Sequence, residues 1–375
     1  MMNRRSLLMA LAGSLPGLAL AEAMHASAAP GAMLRIAATW RGPRETDAYS
    51  IGMLGFDADA RALRVLWSQP LPGRAHGLTT LPDGSLVVVA VRPGRWLNRY
   101  DAEGHLLRAI TLDDTMPRHF TGHAVASRDG RTLLTGETDP RDDRGFIGVR
   151  DAITLQEISA WPSGGIEPHD LRLDADGALI VANGGIRRAP ADRKRDLDRM
   201  QSSIAKLDAT TGALLGQWRL PDQRLSLRHM AWSHDLEGRP LLGIGLQAEH
   251  DDPGRRGEAP VLAIWDGAQL SIPTYAADAD GYAGDICAAP LGGFLLSSNR
   301  TNSALWWRPD QPGRLSLVAK LTEAYALGSH FAGGSPDAVL ISSARGAALW
   351  HPARASSLLP WPAAMVMENH WLALG

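Results

Sequence analysis

The sequence predicts an all-β fold made of one repeated four-stranded unit, and three observations carry that reading. A short motif centred on histidine recurs along the chain, a tight turn marked by Asp-Gly or Gly-Gly follows it, and an apolar strand follows the turn. Turns of that kind need residues that tolerate φ > 0, so each copy reads as a β-hairpin.

In chain order the copies are centred on Arg74-Ala75-His76-Gly77, Gly122-His123-Ala124, Pro168-His169-Asp170, Arg228-His229-Met230, Gly284-Asp285-Ile286, Ser329-His330-Phe331 and Asn369-His370-Trp371. Their turns include Asp83-Gly84, Asp129-Gly130, Asp176-Gly177 and Gly292-Gly293. The key positions follow one another at about 40–60 residues, the length of one four-stranded blade. Seven of them predict a seven-bladed β-propeller. Residues 145–150 and 203–208 read as outer strands. Residues 34–70, with apolar runs at 34–40 and 62–68, read as three strands lying before the first key position. His370 opens an innermost strand with nothing after it to complete a blade. The N- and C-terminal strands therefore share one blade and lock the ring, with residues 370–372 pairing with residues 34–40.

Composition agrees with a single large domain over residues 29–375. The 375 residues are 45% hydrophobic and 21% charged, enough for a substantial core. Lys+Arg is 38 against Asp+Glu 40, which argues against a nucleic-acid binder. One cysteine excludes an intrachain disulfide and any thiolate-built zinc or iron–sulfur site. Cys287 itself reads as a buried structural thiol. The 12 tryptophans are expected to wedge between blades.

Residues 1–28 read as an export signal. Arg4-Arg5 precedes an apolar run that reaches Ala21, and Ala26-Ser27-Ala28 fits a cleavage site. The arginine pair followed by Ser6-Leu7-Leu8 resembles a twin-arginine (Tat) signal. The mature protein is then expected to be periplasmic and monomeric, with no membrane span. Residues 187–196 and 250–257 fill the two wider gaps and read as solvated surface insertions, the first running into a short helix near 197–201.

Six of the seven key positions are histidine, out of 12 in the whole chain, and Asp285 takes the seventh. Innermost strands line the central channel of a propeller, so His76, His123, His169, His229, His330 and His370 are expected to ring one mouth with Asp285. Several imidazoles plus a carboxylate suit a transition metal: iron or copper first, zinc as a further choice. A second polar set, Arg92, Glu137, Asn183, Gln247, Asn299 and Arg345, returns to the same rim. Within it Glu137 is placed to ligate or to orient a ligand, and Asn183 to hold a bound group. Arg74, Arg118 and Arg228 stand just before ring positions and are placed to hold an anionic partner. The alternatives are a hydrated polar channel without metal, and an organic or haem ligand. His105, His234 and His250 fall off the repeat and read as surface residues. Gly243-Ile244-Gly245-Leu246-Gln247-Ala248 fits a dinucleotide fingerprint, but no helix pattern follows it.

The strings Arg118-His119-Phe120-Thr121-Gly122-His123, Gly165-Ile166-Glu167-Pro168-His169-Asp170-Leu171, Val181-Ala182-Asn183-Gly184-Gly185 and Leu225-Ser226-Leu227-Arg228-His229-Met230 resemble the bacterial DUF1513 family. Gly136-Glu137-Thr138-Asp139 and Arg187-Arg188-Ala189-Pro190 depart from the family pattern. The resemblance implies a Tat-exported periplasmic propeller similar to the quinoprotein amine dehydrogenase β-chain. It further implies a role in iron handling beside imelysin-like or haem-containing partner proteins. Three functions are open at this point: metal binding in an acquisition system, a metal-dependent oxidoreductase or hydrolase using the same rim, and a metal-free docking platform.

Overall fold

Residues 34–57, 62–113, 115–189, 192–273, 279–332 and 335–374 are described by the computed structural model, and the expected signal segment lies outside them. They form seven four-stranded antiparallel sheets, with one two-stranded hairpin besides. The innermost strands are Ala75–Thr80, His119–Ala126, Pro168–Leu173, Leu225–His234, Asp285–Ala288, Leu327–Ala332 and Val366–Leu374, which open blades one to seven in that order. Each touches the next, and the last touches the first, so the sheets close into a propeller.

Blade seven is the closure. Its inner strand Val366–Leu374 pairs antiparallel with Leu34–Arg41, from Arg35↔Leu374 to Arg41↔Val366. Tyr49–Asp57 and Ala62–Pro70 complete the sheet outward, so residues 34–70 supply three strands and the C-terminal segment the fourth.

The core lies between blades. The second strand of most blades is buried on both faces, as at Leu86–Ala90, Leu179–Asn183 and Phe294–Ser298. This is why those segments read as unbroken apolar runs instead of alternating ones. Ile180 and Ile204 of blade three pack against Leu227, Leu242 and Ile244 of blade four. Val87, Val89 and Leu97 of blade one meet Phe120 and Leu133 of blade two. Some tryptophans bridge neighbours: Trp67 Nε1 donates to the Ala102 carbonyl at 3.0 Å and Trp232 Nε1 to that of Leu173 at 2.9 Å. Gly104 has φ +90°, and a Cβ there would stand 2.5 Å from the Trp67 ring, so both turn and packing require glycine.

One insertion is more than a solvated loop. Residues 187–196 contain the hairpin Arg187–Ala189 with Arg193–Arg195, followed by the 3-10 helix Leu197–Arg199. The charge run reads as solvent-facing because its carboxylate partners are remote in sequence: Arg188 is bonded to Glu167 and Lys194 to Glu249. Residues 253–257 form one short helical turn, Pro253–Gly257, capped by Asp252. His250 is buried against Asp222 at 2.9 Å, not a surface residue, whereas His105 and His234 are exposed. No helix among the described residues is long and apolar enough to cross a membrane.

Candidate metal centre

Five histidines meet inside the channel. His76, His123, His169 and His229 place ligand nitrogens within 4.8 Å of one another, and all four are buried. His370 joins them, its ring centre 4.2 Å from that of His229 and 4.8 Å from that of His76. They converge because each sits in an irregularity of its strand. The pairing register slips between Ala75 and Leu78, Phe120 and Ala124, Pro168 and Asp170, and Leu227 and Met230. It slips again opposite residues 368–370. A bulge bends a strand and re-aims the side chain it carries, here toward the channel axis.

Blades five and six break the series. Asp170 Oδ1 accepts from the N–H of Leu171, and its Oδ2 from Met230 of the next blade. Asp285 repeats this bond for bond, with Ile286 and with Leu327 of the next blade. Asp285 is thus the counterpart of Asp170, and Gly284 that of His169. By the same correspondence Leu327 matches Met230, and Ala326 stands where His229 does. His330 pairs with Ala338 three residues further along its strand, about 10 Å from the strand start at the usual rise. Its side chain lies outside the described residues. The Asp-for-His reading at blade five is out by one position and that at blade six by four, because a hairpin repeat carries no mark of where its bulge falls.

The two aspartates stand behind imidazoles. Asp170 Oδ1 is 3.6 Å from His123 Nδ1, and Asp285 Oδ1 is 3.4 Å from His370 Nδ1. A carboxylate behind Nδ1 favours the tautomer whose Nε2 carries the free lone pair. Both Nε2 atoms are buried with no hydrogen-bond partner, as are His76 Nε2 and His229 Nδ1. His169 Nε2 lies 2.9 Å from His229 Nε2, and Arg92 Nη1 lies 3.4 Å from His169 Nδ1. The guanidinium only donates, so His169 Nδ1 accepts, its Nε2 carries the proton, and His229 Nε2 receives it.

Burial foremost, then neighbouring imidazoles and arginines, holds His76, His123, His169 and His229 well below the usual histidine pKa. They are neutral at pH 7 and available as ligands. Burial also raises the Asp170 carboxyl, against Arg172 and two backbone N–H groups.

Above the histidines the channel opens into a cavity of about 630 Å³, floored by His76, His169 and His229. Its wall carries Arg74, Arg92, Arg188, Lys194, Arg228 and Arg300. Glu167 is the hub beneath it, with Arg188 at 2.7 Å, Arg228 at 3.2 Å and Arg92 at 3.6 Å. Burial opposes its charge, but these three guanidinium groups hold Glu167 down at about 2. Burial brings Arg92 to about 10 despite Glu167. Replacing Glu167 by Gln keeps the shape and leaves three cations facing one another. Breaking a buried pair from one side costs about 3–5 kcal/mol, so E167Q is expected to lose that much in urea unfolding. An unchanged midpoint would show that the hub carries no stability.

Of the other expected site residues, Arg92, Arg228, Gln247, Asn299 and Arg74 line this cavity. Glu137 and Arg118 stand elsewhere, in the blade wall: Glu137 is bonded to Arg118 at 2.9 Å and to Arg150 at 2.6 Å, and Arg118 also to Glu157. Asn183 is fully buried and bonded to Ser163. Their strand-end position is as expected, but remote ion-pair and hydroxyl partners turn them away from the channel. Sequence reasoning missed Glu167, Asp170 and Arg188. The run Glu167-Pro168-His169-Asp170 around a ring histidine is the one local sign of the first two. Cys287 is a buried thiol in the core between blades five and six, its pKa raised by that burial.

A family model described as "Protein of unknown function (DUF1513)" matches residues 69–374. The chain matches no curated protein sequence. Among solved structures it is similar to virginiamycin B lyase from Staphylococcus aureus, at 10% identity and TM-score 0.55 over 80% of this chain and 93% of that one. It is also similar to a functionally unknown protein from Desulfotomaculum acetoxidans, at 11% identity and TM-score 0.54 over 90% and 99%. The Dos1 propeller is similar at 10% identity and TM-score 0.52 over 88% and 86%. At these identities the likeness concerns the propeller fold alone.

Proposed function

The chain belongs to the DUF1513 family, and from that premise we propose that it binds a transition-metal ion, iron or copper before zinc, through the imidazoles inside its channel. The observation that carries the reading is the set of buried imidazole Nε2 atoms without partners, on His76, His123 and His370, beside the paired His169 and His229. A buried polar atom left unpaired costs about 1–3 kcal/mol. Several at one point are a standing penalty that coordination removes.

The donor set fits. Nitrogens around a tetrahedral ion at about 2.0–2.1 Å stand about 3.3 Å apart, so the widest spacings of the four-histidine group, up to 4.8 Å, close by up to about 1.5 Å on an ion while the 2.9 Å His169–His229 pair opens slightly. Imidazole alone suits iron, copper, nickel and zinc. Asp170 and Asp285 keep Nε2 of His123 and His370 aimed inward. Burial keeps the site neutral and ligating below the ordinary histidine pKa.

In this reading the protein is exported through the Tat pathway to the periplasm and serves metal acquisition there. The imelysin-like or haem-containing proteins implied by the family resemblance are its partners.

Metal content of the purified native protein at pH 7.5 tests the proposal. Stoichiometric iron or copper is expected, and His169→Ala is expected to lower affinity more than tenfold with melting unchanged. Retention of no transition metal, or equal retention by a variant with His123, His169 and His229 all replaced by Ala, would overturn it and favour a docking platform.

A further inference from the structure

The cavity above the histidines has a charge that sits badly with entry of a bare metal ion. Six cationic side chains line it against one lining carboxylate, Asp192. Counting every carboxylate paired with those cations adds Glu167, Glu249 and Glu368. Two positive charges remain over a floor of neutral imidazole. Field lines focus in a cleft of low-dielectric walls, so a free cation is repelled from this mouth and an anion drawn into it.

The cations are also spread around the ring. Arg74 precedes blade one and Arg92 leaves its second strand; Arg188 and Lys194 come from the blade-three hairpin, Arg228 from blade four and Arg300 from blade five. One small anion reaches few of them at once, whereas a molecule with several carboxylates spans them. Arg300 is exposed and forms no ion pair among the described residues, stacking on Tyr282 at 4.6 Å while donating to the Asp280 carbonyl. Gln247, Asn299, Asn369, Tyr282 and Tyr325 add neutral hydrogen-bonding groups on the same wall. At about 630 Å³ the space is of small-molecule size.

We propose that this vestibule binds a small organic polycarboxylate, and that metal reaches the histidines as its anionic chelate. The guanidinium groups hold the carboxylates in the fork geometry that suits them, and carboxylate oxygens facing the floor share the ion with imidazole. This deepens the metal-binding reading and rests on it for the cargo, while the anion site can be measured alone.

Citrate is the probe. Calorimetric titration into the metal-free full chain, at fixed ionic strength, is expected to give a Kd at least tenfold below those of acetate and inorganic phosphate. The double variant Arg74→Gln, Arg300→Gln is expected to weaken citrate binding at least tenfold. Circular dichroism and melting check that it folds. Absence of citrate binding, phosphate binding as tight as citrate, or a folded double variant that binds citrate like the parent would overturn the vestibule. Metal retention in carboxylate-free buffer is measured in parallel. Citrate binding without metal retention overturns the metal reading and the chelate route but leaves the anion site standing. Metal retention without citrate binding overturns the vestibule alone. With both sites present, the chain is expected to load iron faster from ferric citrate than the double variant does, and equal rates would overturn the chelate route.

Discussion

A chain ending at Met365 is expected to lose cooperative folding altogether. The missing strand, Val366–Leu374, is the innermost of blade seven and touches the inner strands of blades six and one. It carries Trp371, buried in the core with Ile36, Ala38 and Leu340. Truncating one buried tryptophan costs about 3–5 kcal/mol. Loss of the whole strand also strips Leu34–Arg41 of its ladder partner and leaves the ring open. The combined loss is of the order of the roughly 5–15 kcal/mol that holds a domain together. Thermal melting by circular dichroism decides the matter, and a sigmoidal transition within a few degrees of the parent would refute closure at this seam.

Acid is expected to destabilise the metal-free protein in two separate windows. His76, His123, His169 and His229 have folded pKa values well below 6.5, because burial first and then neighbouring imidazoles and arginines oppose the charged form. Below 6.5 the unfolded chain takes up protons that the native state refuses, so stability falls as pH falls. Each such group contributes a slope of about 1.4 kcal/mol per pH unit. Four together approach about 4 kcal/mol over the first unit below 6.5, where the unfolded imidazoles are only partly charged. The carboxylate Glu167 acts in the same direction in a lower window: its folded pKa is lowered to about 2 from 4.5. Its contribution is complete above 4.5 and is lost only as pH falls from there toward 2. Urea midpoints of metal-free protein at pH 7.5, 6.5 and 5.5 check the first window. A flat profile would mean that the imidazoles titrate normally.

The ring itself was legible in the residues. Asp83-Gly84, Asp129-Gly130 and Asp176-Gly177 mark turns whose geometry the backbone demands, and the repeat length is that of a blade. An inner strand at His370 with no partner after it, and three strands before His76, imply the shared blade by count alone. The site was legible only where the repeat is regular. His76, His123, His169, His229 and His370 occupy matching bulges, whereas Asp285 and His330 resemble them in spacing but not in register. A bulge inserts a residue without changing composition, so periodicity does not reveal it. Glu167 with Arg92, Arg188 and Arg228 was hidden for another reason. Its members come from three blades and an insertion, and charge pairing across such distances leaves no local pattern. The same holds for Glu137, which ends its strand as a channel residue would and is turned away by Arg118 and Arg150.

The shared blade also sets an order of events during synthesis. Leu34–Arg41 leaves the ribosome first among the described strands and, paired on one edge with Tyr49–Asp57, waits with its other edge open for Val366–Leu374, which leaves last. His370 travels on that final strand, with Asp285 waiting for it. No nascent chain, however nearly finished, presents the assembled histidine cluster. The channel is completed only once Val366–Leu374 is made, so a chain terminated before it has neither the ring nor the whole set of imidazoles within it.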